Sequence, residues 1–195
     1  VTVTRRKFFS EFARTMASRM VPPRLDRLSP LSNDDAEDQS QSERWLRPPG
    51  ALPEPEFLQA CTRCTDCQEA CPYLAIRRLG PEFGDAAGTP AIIVAETPCY
   101  LCEDTPCIAA CGDEALLPTA PDRVRMGSAI LHDDLCYLSQ GQPCDYCVKR
   151  CPLSDTAIAF GDNRLPVINT DGCAGCGVCA YLCPADAITM ELSKR

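Results

Sequence analysis

Apolar residues near the start of the chain fall at helical spacing. Phe8, Phe12 and Met16 recur every four positions, and Phe9, Ala13, Met16 and Met20 extend that stripe. The pattern predicts a helix from about Arg5 to Met20. Pro22 and Pro23 stop it, since proline cannot donate the next ladder bond. Residues 28–41, LSPLSNDDAEDQSQ, are polar, acidic and aperiodic, the composition of a solvated linker. The run RPPGALPEPEF, Arg47 to Phe57, is proline-rich and is expected to be an extended arm lying across the body.

From Phe57 to about Leu192 the pattern changes. Short runs rich in Ile, Val or Leu occupy Leu74–Leu79, Ala91–Ala95, Ala129–His132, Thr156–Phe160, Leu165–Asn169 and Ala187–Glu191. Each has strand length and strand composition. Between them, short helices are expected around the last two cysteines of each of four cysteine motifs. The predicted class is α+β. The chain divides into a leader helix over 1–27, an acidic and proline-rich linker and arm over 28–56, and a cysteine-bearing body over 57–195.

Composition says what holds that body together. Aromatic residues are only 6% of the chain while prolines number 18. That is thin material for a core whose stability rests on large buried side chains. Sixteen cysteines are the obvious substitute.

Charge adds a division of labour. The net charge is −8, which argues against nucleic acid as a partner, because phosphate binding needs a basic face. Residues 1–28 oppose this trend, with Arg5, Arg6, Lys7, Arg14, Arg19, Arg24 and Arg27 against Glu11 and Asp26. Their net of +5 leaves −13 for the remainder. No run of 18 or more apolar residues exists in the sequence to form a membrane-spanning helix.

The cysteines fall into four groups. Cys61, Cys64, Cys67 and Cys71, followed by Pro72, read C-x2-C-x2-C-x3-C-P. Cys99, Cys102, Cys107 and Cys111 widen the second gap to four residues and end on Gly112. Cys136, Cys144, Cys147 and Cys151, followed by Pro152, widen the first gap to seven. Cys173, Cys176, Cys179 and Cys183, followed by Pro184, restore the compact form. The groups are separated by 27, 24 and 21 residues, and no cysteine is left over.

A [4Fe–4S] cube takes four thiolates, soft ligands suited to iron in a sulfide cage. Two-residue gaps let one loop wrap three corners, and the fourth cysteine, braced by proline, serves the neighbouring cube in two-cluster ferredoxins. Four motifs therefore predict four cubes in two pairs, with all sixteen cysteines as iron ligands. Disulfides and zinc are the competing readings. Disulfide frameworks do not repeat this spacing, and zinc sites pair two knuckles across a longer loop with no role for the proline. Each oxidised cube with its thiolates adds about −2 to an already acidic protein.

Tyr73, Tyr100, Tyr137, Tyr146 and Tyr181 all lie in or beside the motifs. They are expected to cover the cubes and exclude water, not to relay electrons themselves. His132 is the one histidine, expected to be structural. No dinucleotide fingerprint, phosphate loop or nucleophile elbow is found, so the chain reads as an electron carrier or accessory subunit without a substrate site.

With these motifs in place, residues 44–190 resemble the ferredoxin-type proteins of periplasmic nitrate reductase, the NapF/NapG group, and the related MauM proteins. RPPGALPEPEFLQACTRC resembles the entry to the first motif in this group, and ETPCYLCEDTPCIAAC and RMGSAIL are similar to the NapG side. CYLSQGQPCDYCVKRC and CAGCGVCAYLCPADAIT resemble either branch, with the ending nearer NapF. The resemblance implies two bacterial-ferredoxin-like modules and a redox partner protein, either a molybdenum-dependent reductase or a quinol-oxidising membrane subunit. The NapF resemblance implies a second role, a cytoplasmic maturation factor for a molybdenum or iron–sulfur enzyme; a third reading is a fixed subunit of a membrane-associated complex. Related four-cluster subunits imply a nested pairing, first motif with fourth and second with third, while the spacing also allows first with second and third with fourth. TRRKFF resembles a twin-arginine export motif, but Glu11, Arg14 and Arg19 interrupt the apolar stretch that such signals need. The leader is therefore expected to be a retained docking helix, with residues 5–20 meeting a partner or a membrane surface and the protein in the cytoplasm. Periplasmic export is the alternative.

Overall fold

The computed structural model describes residues 45–192, all within one compact unit, Glu37–Arg195. The leader helix expected over 5–20 and the linker over 28–41 lie outside the described residues.

Each of the six apolar runs overlaps a strand: β1 Ile76–Arg78, β2 Pro90–Ile92, β3 Gly127–Leu131, β4 Ile158–Phe160, β5 Pro166–Ile168 and β6 Ile188–Leu192. They pair antiparallel as β1–β2, β4–β5 and β3–β6. The register sets Ile76 opposite Ile92, Ile158 opposite Ile168 and Leu131 opposite Ile188. Such apolar cross-strand pairs contribute about 0.2–1 kcal/mol each. A two-stranded ribbon of this length is marginal alone, so these sheets need what packs against them.

Among the described residues are five α-helices: α1 Glu54–Ala60, α2 Asp66–Glu69, α3 Pro106–Ala109, α4 Tyr146–Lys149 and α5 Val178–Tyr181. The last four each carry the third cysteine of a motif and stop before the fourth, as the sequence predicts. One turn is far below the length at which a helix persists by itself, so these turns too are held by their surroundings. The pairs α2 with α3 and α4 with α5 pack together.

Helix α1 is a departure from the extended arm predicted up to Phe57. Pro53 and Pro55 sit at its start, where the missing amide has no helical partner to lose. Glu54 and Glu56 in the first turn suit the positive end of the helix dipole, and Phe57 is fully buried. The rest of the arm does lie on the body. Leu46 and Ile92 exchange both backbone hydrogen bonds, at 2.8 and 2.7 Å, and the Leu117 amide donates to the Gly50 carbonyl at 2.7 Å. Ala51 bridges Leu116. The arm is thus part of the packed body, with Leu46 in its core.

Two apolar cores result. The first gathers Leu46, Phe57, Ile76, Ile92, Val124 and Met126. The second gathers Ala129, Ala157, Ile158 and Ile188. The loop 173–178 straddles them, because Cys173 belongs to the second core while Ala174, Cys176 and Val178 belong to the first.

The repeat is written into the backbone as well as the sequence. Arg63, Leu101 and Gly175, each two residues after the first cysteine of a motif, have φ of 63°, 48° and 70°. Leu74, Glu114 and Asp186, each three residues after a fourth cysteine, have φ of 52°, 54° and 50°. A left-handed residue turns the chain sharply and aims neighbouring amides into the concavity it encloses. For a residue with a Cβ it costs about 1–2 kcal/mol. Leu74 is 61% exposed, so its side chain contributes little packing. Leu74→Gly is expected to raise stability by about 0.5–1 kcal/mol after glycine's entropic cost, read as a later denaturant midpoint. A fall of that size would show that the leucine side chain matters more than its backbone strain.

Candidate iron–sulfur centres

The sixteen thiols are all free and gather into four sets of four. Cys61, Cys64 and Cys67 line one cavity with Cys111, under Phe57 and Leu116. Cys99, Cys102 and Cys107 line a second with Cys71, beneath Tyr73, Tyr100 and Ile76. Cys173, Cys176 and Cys179 line a third with Cys151, beside Ala129, Ile158 and Met190. Cys147 interacts electrostatically with Cys136, Cys144 and Cys183, which makes the fourth set. In every motif the first three cysteines stay together and the last crosses to a neighbour.

The crossing fixes which motifs pair. The first pairs with the second and the third with the fourth, not in the nested order that the resemblance implies. The physical reason is local. The 27-residue connection after Cys71 folds back through the β1–β2 ribbon and lays α3 against α2, while β4–β5 does the same for α4 and α5. A short antiparallel ribbon returns the chain beside its starting point, so consecutive motifs meet.

The surroundings of the sets favour the protonated thiol over the thiolate. Burial pushes the thiols of Cys67 and Cys99 up to about 12, and those of Cys107, Cys147 and Cys176 up to about 11. Burial also raises Cys102, Cys151 and Cys179. Neighbouring thiolates add to the rise; for Cys67 these are chiefly Cys64, Cys111 and Cys61. Four thiolates cannot share such a space without cations to hold them, and cation binding expels their protons.

The donor arrangement also tests what the guest is. A tetrahedral zinc site needs its sulfurs converging at about 2.3 Å from one point. Among the described residues no three His, Cys, Asp or Glu side chains are close enough to hold a single ion. Three of the four sets instead ring apolar hollows, which suits a multinuclear cluster, and soft thiolates in fours are what a [4Fe–4S] cube takes.

Backbone amides point at sulfur in several motifs. Ala75 donates to Cys71 Sγ at 3.4 Å, Ala187 to Cys183 Sγ at 3.3 Å and Gly175 to Cys173 Sγ at 3.4 Å. The first two are the same contact repeated, an amide four residues past the final cysteine. Such bonds stabilise negative charge on the sulfur and are one lever on cluster potential.

The tyrosines divide. Tyr73 and Tyr100 stack with centroids 4.4 Å apart over the Cys71 set, a cover over that cavity. The Tyr137 hydroxyl reaches the Pro184 carbonyl at 3.4 Å, beside Cys183. Tyr146 and Tyr181 are about half exposed. His132 Nε2 meets Thr189 Oγ1 at 2.9 Å at the end of the β3–β6 ribbon, a structural contact. Sequence reasoning missed Arg63, whose guanidinium donates to the carbonyls of Asp85, Ala87 and Cys61 and so pins the first cysteine loop. An arginine inside a three-cysteine loop was the available signal.

A 4Fe-4S binding domain model matches residues 166–189, the segment holding the fourth motif. The ferredoxin-type protein NapG of Escherichia coli is 40% identical over 151 residues, 71% of this chain and 65% of NapG. The methylamine utilization ferredoxin-type protein MauM of Methylorubrum extorquens is 40% identical over 163 residues, 77% of this chain and 73% of MauM. The chain belongs to this family of ferredoxin-type proteins. Escherichia coli NapF, a shorter relative, is 31% identical over 150 residues and is 84% covered. No solved structure matches. The family relationship makes this a ferredoxin-type iron–sulfur protein of electron transport. The chain spans slightly less than two thirds of the length of the NapG proteins it matches.

Proposed function

We propose that the protein carries four [4Fe–4S] clusters and passes single electrons to or from a partner redox enzyme. The observation that carries this reading is the gathering of sixteen free thiols into four crosswise sets of four. Each pair of sets forms one bacterial-ferredoxin-like module, the first built on Cys61–Cys111 and the second on Cys136–Cys183. All sixteen cysteines act as iron ligands. When bound, each cluster supplies a reversible one-electron couple.

The chain's own residues bind, orient and shield. The first three cysteines of each motif wrap one site from a single loop and helical turn, and the fourth commits that loop to its neighbour. Phe57, Leu116, Ile76, Ile158 and Met190 exclude water from the sulfurs, and the amides of Ala75, Gly175 and Ala187 stabilise thiolate charge. Nothing here asks for a substrate-binding group, so the protein is a carrier and its chemistry belongs to its partners.

Residues 1–27 are assigned to docking, with the basic face of a helix over 5–20 meeting an acidic partner surface or an anionic membrane. The protein is placed in the cytoplasm on the same grounds, because charged residues interrupt the stretch after TRRKFF. The partner is a molybdenum-dependent reductase or a quinol-oxidising membrane subunit. The similarity to NapF supports a second reading, a maturation factor that serves an apo-enzyme in the cytoplasm.

Anaerobically purified protein is expected to contain about sixteen iron and sixteen sulfide per chain, with all four sites reducible and reoxidisable in place. Cys176→Ala is expected to remove about four iron or convert one cube to a three-iron form, changing the electron paramagnetic resonance spectrum. Unchanged iron and spectrum would overturn the ligand assignment. Clusters that leave the protein for an apo-partner would favour the maturation role. Pull-down from separated soluble and membrane fractions, with and without residues 1–20, identifies the partner and tests the assigned location.

A further inference from the structure

The four sets could in principle exchange electrons along several routes, and the contact between the two halves is what restricts them. The Cys99 amide donates to the Cys176 carbonyl at 3.0 Å. Cys99 belongs to the set completed by Cys71, and Cys176 to the set completed by Cys151. A path of covalent bonds and one hydrogen bond therefore joins a thiol of the first half to a thiol of the second. The Met126 amide donates to the Ala174 carbonyl at 2.8 Å and holds the same loop down. By contrast, the cavity of Cys61, Cys64, Cys67 and Cys111 is lined wholly by residues 57–116, and Cys64 is exposed.

The closeness of this contact depends on a residue with no side chain. Gly177, next to Cys176, has φ of +84°, and a Cβ there would lie 2.6 and 2.7 Å from the two methyls of Val94. Real Cβ contacts are essentially never that short, so a side chain at 177 must displace the loop or the Val94 side chain, a few residues before Cys99.

We propose that the Cys99–Cys176 contact is the electronic junction between the two halves, with Gly177 as the positioning residue that permits it. Resting on the four-cluster reading above, this assigns a linear order. The Cys64 set is one end, the Cys71 and Cys151 sets are the inner pair, and the Cys144 set is the other end. A crossing moves one electron, so the inner site on the Cys99 side is oxidised by one as that on the Cys176 side is reduced by one. No bond forms or breaks and no proton moves. Tunnelling falls steeply with distance and less steeply through bonds than through space, so this contact carries the traffic between halves.

The test uses the full chain, purified anaerobically, with iron and sulfide counted before any spectrum is taken. Fewer than four clusters in the wild type would refute the four-cluster reading and the order with it. With four present, magnetic coupling between reduced sites is measured by electron paramagnetic resonance during reductive titration. Gly177→Ala is expected to keep the iron count and weaken the coupling between halves several-fold, leaving couplings within each half unchanged. Adding Val94→Ala, which removes the obstructing methyls, is expected to restore it. Gly141→Ala is the control, since Gly141 has a similar φ of +77° with nothing within 4 Å of its Cβ position. The proposal fails if Gly177→Ala leaves coupling between halves at the wild-type level, or if Gly141→Ala weakens it equally. Should Gly177→Ala lose its clusters, ligand deletions decide. Cys64→Ala must leave coupling between halves at the wild-type level, and Cys102→Ala must abolish it or, where a three-iron form remains, change it; the reverse pattern overturns the order.

Discussion

Replacing Cys71 with alanine should damage the site of the second motif and spare that of its own. Cys71 closes the first motif in sequence, yet it lines a cavity with Cys99, Cys102 and Cys107, while Cys61, Cys64 and Cys67 share theirs with Cys111. The expected result for Cys71→Ala is a loss of about four iron per chain, or conversion of one cube to a three-iron form. The affected signal should be the one that Cys102→Ala also removes. Cys111→Ala should remove the signal that Cys64→Ala removes. Pairing mutants by their spectra thus reads out the crossing directly. Were Cys71→Ala and Cys64→Ala to remove the same signal, each motif would bind its own cube and the crosswise assignment would be wrong. A nested pairing predicts that Cys71→Ala matches Cys176→Ala instead, so the same set of mutants separates all three arrangements.

The sequence made the local parts of this legible because local physics determines them. A cysteine spacing of two residues closes a loop around three corners whatever surrounds it, and six runs rich in Ile, Val or Leu each overlap a strand. The left-handed positions at Arg63, Leu101 and Gly175 follow from the same loop, repeated. What the sequence did not disclose was long-range. Nested and consecutive pairing use the same ligands, so no count of cysteines could choose between them, and the choice fell to the β1–β2 and β4–β5 ribbons. The arm from Arg47 to Phe57 misled for a related reason. Its prolines exclude a helix interior but tolerate a helix start, and only the burial of Phe57 reveals that α1 begins there. The importance of Arg47 was equally hidden, because an arginine before two prolines reads as a solvated charge until its partners from residues 54, 57 and 89 are seen around it.

Those partners give Arg47 a large structural role. Its side chain is 9% exposed. Its guanidinium forms a two-pronged bond to the Glu54 carboxylate and donates to Thr89 Oγ1 at 2.7 Å and the Pro90 carbonyl at 2.8 Å. It also lies 4.3 Å from the Trp45 ring centroid and 4.4 Å from that of Phe57. One residue therefore ties the arm to α1 and to β2, the strand that returns the second motif to the first. Thr89, wholly buried, would keep a hydroxyl without this donor, although its own bond to the Ala86 carbonyl survives. Breaking a buried ion pair costs about 3–5 kcal/mol, and cation–π contacts add about 0.5–2 kcal/mol. Because Glu54 is 38% exposed and can be rehydrated, Arg47→Ala is expected near the lower end, at about 3 kcal/mol. Glu54→Ala should cost a comparable amount, since it strands the more deeply buried charge. Arg47→Lys should recover only part of the loss, because an ammonium cannot form the planar fork. The measurement is the loss of cluster absorption in guanidinium under argon, where about 3 kcal/mol corresponds to a midpoint earlier by about 1 M. A midpoint within the range of ordinary surface substitutions, about 0.5 kcal/mol, would mean that the arm is held by Leu46, Ala51 and Phe57 alone. The apolar contacts of the first core, and not the ion pair, would then fix the strand that brings the first two motifs together.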